Sequence, residues 1–159
     1  MLKIDLMRPE ELGDAVRLFV DAVHQINRAD YAPEQLDAWA PDDAAFRAQL
    51  QNKLASSLTL AARDGDTLVG FGSLLGADEL DMLYVDPGHL RRGVGRALVQ
   101  ALEQEACRRG SSHLTANASI TARPFFESMG YCVVRENTVL RRGVVLQNFL
   151  MFKELLNIE

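Results

Sequence analysis

The stretch from Asp81 to Gly110 constrains the fold of this chain more than any other. Four apolar residues, Met82, Leu83, Tyr84 and Val85, read as a short strand that stops at Asp86-Pro87-Gly88. A loop with Arg91, Arg92, Gly93 and Gly95 then runs straight into a helical pattern. In that pattern Val94, Leu98, Ala101, Leu102 and Ala106 recur at helical spacing, and Arg108, Arg109 and Gly110 close it. The first N–H groups of a helix have no internal partner, and the aligned peptide dipoles place positive charge at the same end. Strand, glycine loop and helix start in this order form a cradle for phosphate-like anions. Gly93 and Gly95 allow a ligand to approach the backbone closely, and Arg91, Arg92 and Arg96 add a local positive field. Such glycines can also serve only to turn the chain, and such arginines only to solvate a surface. A P-loop would need Lys-Ser/Thr after its last glycine, and a dinucleotide fingerprint would need a third glycine where Leu98 stands. The spacing fits neither.

A basic loop in a chain of net charge -5 suits a small polyanion better than a nucleic acid, which calls for a broad basic face. With 159 residues, 48% of them hydrophobic, the chain is expected to be a single domain, residues 1–159, able to bury its own core. Cys107, Cys132 and the three histidines show no metal-ligand spacing, so no metal and a reduced cytoplasmic setting are expected. The N-terminus lacks the apolar core of a signal peptide. No run approaches the roughly 18 apolar residues of a membrane span, so no membrane partner is expected.

Along the chain, residues 3–7 read as a strand, and Arg8-Pro9-Glu10-Glu11 opens a helix with buried stripe Ala15, Leu18, Phe19, Ala22, Val23 and Ile26. Pro33 and Pro41 bracket a short helix. Another begins near Asp42, with Phe46, Leu50 and Leu54 on one side. Residues 58–63 and 67–75 form a hairpin signal around Asp64-Gly65-Asp66, and 79–85 is the strand leading into the cradle. After the long helix come a strand at 113–118, a helix near 122–129, and two strands at 131–140 and 144–153 around Arg142-Gly143. The last strand reads as structural. This order suits a mixed sheet flanked by helices, an α/β (mixed α+β) class.

The segment LYVDP followed by RRGVGRALV resembles the acetyl-CoA pyrophosphate loop of the GNAT superfamily of N-acetyltransferases. The usual pattern, Gln/Arg-x-x-Gly-x-Gly/Ala, puts Gly93 and Gly95 on its glycine positions and Leu90 on the first. A second segment, Ser119 to Tyr131, resembles the family's Asn-x-x-Ala-x-x-Phe-Tyr-x-x-x-Gly-Phe helix, which lies against the pantetheine arm. Ser119 stands at the Asn position. Phe126 stands where many members carry the Tyr that protonates the departing thiolate. The resemblance covers nearly the whole chain and implies a central, mixed, mostly antiparallel twisted sheet of about seven strands flanked by helices. It further implies acetyl-CoA as acetyl donor, held by Leu83, Tyr84, Val85, Arg91, Arg92, Gly93, Val94, Gly95, Arg96, Ser119 and Phe126.

Acetyl transfer to an amine needs a bound donor, a neutral amine and some way to handle charge on the leaving thiolate. An alkyl amine with a pKa of about 10.4 is almost wholly protonated at neutral pH, so a base must act. By period two, Glu79, Asp81, Leu83 and Val85 share a face of the strand before the cradle, which puts two carboxylates together. The resemblance places the family's proton relay there, making Glu79 and Asp81 the candidate bases. Acids at a strand's start can also be merely solvated. Without a tyrosine at 126, a proton donor could be Tyr31, Tyr84 or Tyr131. The family's early helices roof the acceptor side, which marks Tyr31, Trp39 and His24 for the acceptor pocket.

The reading is an acetyl-CoA-dependent N-acetyltransferase, acting by direct attack in a ternary complex on a small-molecule or peptide amine, as monomer or homodimer. Two other classes stay open: a CoA-binding or sensing module, given Leu90 and Phe126, and an interaction domain using exposed sheet edges. Polyamine, amino acid, antibiotic and protein amines are all open as acceptor.

Overall fold

A computed structural model describes residues 1–155 and gathers the expected strands into one seven-stranded sheet. The final four residues of the expected domain lie outside the described residues. The strands are β1 (Leu2–Leu6), β2 (Leu58–Asp64), β3 (Thr67–Leu75), β4 (Glu79–Val85), β5 (His113–Ser119), β6 (Cys132–Arg141) and β7 (Val144–Glu154). Their spatial order is β1-β2-β3-β4-β5-β7-β6, and only the β4–β5 pair is parallel. The helices are α1 (Leu12–Ile26), α2 (Pro33–Trp39), α3 (Ala44–Ser56), α4 (Val94–Arg108) and α5 (Arg123–Ser128).

Each helix lies where its apolar stripe sends it. Ala15, Leu18, Phe19 and Val23 of α1 and Leu50 and Leu54 of α3 bury against Phe71 and Met82 on one face of the sheet. Val99, Leu102 and Ala106 of α4 pack with Leu74, Leu80, Leu114 and Met151 on the other. Two glycines of β3 allow the close seating of α4. A Cβ at Gly70 would stand 2.8 Å from Val94 Cγ1, and one at Gly72 would stand 2.8 Å from Leu102 Cδ1. Larger residues there would lift α4 off the sheet, and its N-terminus away from the end of β4.

β4 departs from strict alternation. Ser73 of β3 pairs with Met82, while the next residue, Leu74, pairs with Leu80, so Asp81 is the extra residue of a β-bulge. The bulge corrects the expectation that Glu79, Asp81, Leu83 and Val85 share one face. Leu83 packs toward α4, with its Cδ1 3.4 Å from the Cβ position of Gly72, and Val85 packs beside Gly95. Asp81 instead reaches Lys53 of α3, on the side of the sheet where Met82 and Tyr84 pack with Phe19.

The parallel pairing of β4 with β5 lasts two residues, Glu79 with Thr115 and Leu80 with Ala116. Beyond it the strands part, and the backbone edges that face each other from Asp81 and Asn117 onward have no ladder partner. A slot opens in the middle of the sheet.

At the far end, Glu11 and Arg63 form a buried bidentate ion pair that ties β2 to the turn before α1. Arg63 donates from Nε to Glu11 Oε2 and from Nη2 to Glu11 Oε1, both at 2.6 Å, and from Nη2 to Leu6 O at 3.0 Å. Hydrogen bonding by Arg63 is the main reason the Glu11 carboxyl titrates below its usual range, against the opposing effect of burial. A depressed folded-state pKa means stability that is present above the unfolded pKa and lost as pH falls through the folded one. Glu11→Ala strands the guanidinium and is expected to cost about 3–5 kcal/mol in urea unfolding at pH 7. That difference should shrink toward acid pH; a loss below about 1 kcal/mol would show the pair to be dispensable.

Candidate active site

The loop after β4 turns into α4 through Gly93, whose φ of +80° places it in the left-handed region that glycine adopts without strain. No side chain caps the helix, and its first backbone bond runs from Ala97 N–H to Gly93 O. The N–H groups of Val94, Gly95 and Arg96 are thereby left for a ligand. Gly95 lies against α5: a Cβ there would stand 3.2 Å from the Phe125 ring and 3.7 Å from Val85 Cγ2. Its lack of a side chain therefore serves close packing of α4 on α5 at the mouth of the cleft.

That helix start forms one end of a cleft of about 790 Å³ that follows the slot between β4 and β5. Leu83, Tyr84, Val85, Arg91, Gly93, Val94, Gly95 and Arg96 line it, with Ser119 and Phe126 opposite. These are the expected cofactor residues except Arg92, which is exposed and lies outside the lining. An uncapped helix N-terminus, flanking Arg91 and Arg96, and a slot with unpaired strand edges fit a phosphorylated ligand with an extended, amide-bearing arm.

A second cavity of about 620 Å³ lies under α2 and α3. The two cavities share Trp39, Asp81, Met82, Tyr84, Asn117 and Ser119, so they meet where β4 and β5 separate. Asp81 stands at this junction, with its Oδ2 buried. Lys53 Nζ lies 3.2 Å from that oxygen but not in hydrogen-bond geometry, which leaves it without a hydrogen-bond partner. Glu79 lines neither cavity. Burial raises the Glu79 pKa, with the charges of Asp81 and Asp78 adding to the effect and Lys53 opposing it.

The three tyrosines have separate fates. Tyr131 donates to the buried Glu103 carboxylate at 2.8 Å, away from the slot. Tyr31 donates to Gln147 O at 2.6 Å and accepts from Ile120 N–H at 2.9 Å, so its hydroxyl braces the turn before α2 against β7 and the end of β5 while its ring walls the second cavity. Tyr84 alone lines both cavities, its ring edge-on to Phe19. Burial drives its phenol well above the usual value, with the Trp39 indole pulling the other way, so the hydroxyl keeps its proton at neutral pH.

Trp39 packs edge-to-face on Tyr31 at 5.3 Å between ring centroids and faces both cavities. His24 lies outside both. Its Nε2 sits 2.8 Å from Ala40 O, which braces α1 to the end of α2, and it takes no part in the acceptor wall. Ser119 Oγ accepts from Ala122 N–H at 3.0 Å and Asn27 Nδ2 at 3.2 Å, so it positions the start of α5 and the end of α1. Phe126 is buried between Phe125 and Tyr131, with ring centroids at 5.4 and 5.3 Å.

Several lining residues carried no sequence expectation: Lys53, Asn117, Arg135, Asn137 and Arg141. Period two along β6 puts Arg135, Asn137, Val139 and Arg141 on one face, a signal that was available. The last strand is more than structural, since Leu146, Gln147 and Asn148 wall the second cavity. Among the described residues no cluster of His, Cys, Asp or Glu could hold a metal, and no helix is long and apolar enough to cross a membrane.

Comparison with known proteins gives a consistent family. Residues 27–153 match the acetyltransferase (GNAT) domain. The chain is 36% identical over 150 residues to the uncharacterized N-acetyltransferase YafP of Escherichia coli (strain K12), covering 94% of each protein. A GCN5-related N-acetyltransferase from Rhodopseudomonas palustris superposes with a TM-score of 0.92 at 39% identity, covering 96% of this chain and 95% of that one. A PaiA N-acetyltransferase from Thermoplasma acidophilum, solved in complex with coenzyme A, shares the fold at a TM-score of 0.77 and 19% identity, covering 97% and 99%.

Proposed function

Because the chain belongs to the acetyltransferase (GNAT) domain family, we propose that it moves the acetyl group of acetyl-CoA to a primary amine by direct attack, with both substrates bound at once. The observation that carries this reading is the meeting of two cavities at Asp81, one ending at an uncapped helix start and the other walled by α2, α3 and β6. Coenzyme A in the complex of the Thermoplasma acidophilum relative supports the identity of the first ligand.

Acetyl-CoA, when bound, supplies the thioester carbonyl and a thiol leaving group. The chain supplies the rest. The N–H groups of Val94, Gly95 and Arg96 hold the pyrophosphate, with Arg91 and Arg96 balancing its charge. The unpaired edges of β4 and β5 bind the amides of the arm. Asp81 takes the proton of the acceptor ammonium, directly or through one water, with the Glu79 carboxyl close enough for the two charges to interact. Tyr84 gives its proton to the departing sulfur and recovers the second proton that the nitrogen sheds as the C–S bond breaks and the amide forms, the task that Phe126 has no hydroxyl to perform.

Tyr84→Phe is accordingly expected to lower kcat by about 10- to 100-fold with KM for acetyl-CoA little changed, at the low end of general-acid effects because a thiolate leaves readily. Phe126→Leu should cost less. Following free thiol from acetyl-CoA across an amine panel tests the function itself. Tight CoA binding with no amine-dependent thiol release would favour the sensing module instead.

A further inference from the structure

The second cavity has a charge pattern that speaks to its occupant. Its charged lining consists of Lys53, Arg135 and Arg141 against a single carboxylate, Asp81, and Lys53 is spent on that carboxylate. Neither Arg135 nor Arg141 forms an ion pair among the described residues. Arg135 is held by its Nε, which donates to Asn137 Oδ1 at 3.0 Å, and Asn137 in turn donates to Asn117 Oδ1 at 3.2 Å. Its terminal nitrogens are left over for another acceptor. Arg141 stands at the other end of the β6 wall, close enough for its charge to favour ionisation of Tyr84.

Carboxylates on a cavity wall would welcome a polyamine or an aminoglycoside; two guanidinium groups without an ion-pair partner repel one. Guanidinium forks match carboxylate and phosphate oxygens in shape and charge. We infer that the acceptor is a primary amine that also carries an anionic oxyacid group, a carboxylate or a phosphate, held by Arg135 or Arg141 while the amine lies at Asp81. The inference rests on the acetyltransferase reading above and narrows its substrate class.

The test is a matched series of six-carbon amines assayed by thiol release from acetyl-CoA: 6-aminohexanoate, 6-aminohexyl phosphate, 6-aminohexanamide and 1,6-diaminohexane, with shorter ω-amino acids to find the best length. The expected result is a kcat/KM at least tenfold higher for the best anionic member than for the carboxamide, with the diamine lowest. The ratio of the carboxylate and phosphate arms identifies the group. The preference should shrink with added salt, since it is a charge effect. In Arg135→Gln or Arg141→Gln it should fall toward one, mainly through KM. Amide or diamine turnover equal to or above the anionic members would overturn the inference and leave the acetyltransferase reading standing. Turnover of none of these amines at any length, with turnover of other amines in the wider panel, would overturn the inference alone, and no thiol release with any amine of that panel would overturn both.

Discussion

Gly95→Glu is expected to lower CoA affinity by 100-fold or more, about 2.7 kcal/mol, in a chain that still folds. Two effects act together. A Cβ at position 95 meets the Phe125 ring at 3.2 Å, so that ring must yield, and the longer glutamate side chain adds bulk at the mouth of the cleft. The added carboxylate also brings negative charge to the helix end whose N–H groups and dipole are meant for phosphate. Gly95→Ala, which adds only the Cβ, should lose far less, because the Phe125 ring needs to yield only a few tenths of an ångström. Calorimetry on variants with intact thermal transitions separates binding from folding. An affinity within threefold of the parent for Gly95→Glu would remove the helix start from the ligand site.

Asp81→Asn is expected to cut kcat by about 10²- to 10⁴-fold, the range for loss of a positioned base. The pH profile carries the finer test. A base must be ionised to act, so kcat/KM in the parent falls as pH drops through the apparent pKa of the carboxylate pair. Glu79 titrates above the usual carboxylate value, chiefly by burial and then by repulsion from Asp81 and Asp78. Glu79→Gln removes one negative charge from the pair, and the acidic limb should move to lower pH with kcat reduced much less than in Asp81→Asn. Equal rate losses in the two variants, or a parent profile in both, would contradict the division of roles.

The cradle was legible because its signal is local. A strand, two glycines, three arginines and a helical stripe lie within thirty residues, and the physics of a helix start needs nothing from elsewhere. The slot was not, because it arises where β4 and β5 stop pairing, and their contact joins Leu80 to Ala116 across the whole of α4. Counting by two along β4 brought Glu79 and Asp81 together but carried Leu83 and Val85 onto the same face. The bulge that cancels that count depends on how Ser73 and Leu74 pair across the strand. His24 looked like an acceptor residue by position alone, and its bond to Ala40 O takes it out of the cavity. Arg135 and Arg141 carried no expectation, because they join the second cavity only once β6 and β7 fold beside β5.

A crystal structure of the chain with coenzyme A tests the central claim most directly. The account predicts the pyrophosphate within hydrogen-bond distance of the N–H groups of Val94, Gly95 and Arg96, the arm along the open edges of β4 and β5, and the thiol at the junction of the cavities beside Asp81 and Tyr84. A pyrophosphate bound elsewhere, or a thiol remote from Asp81, would contradict it.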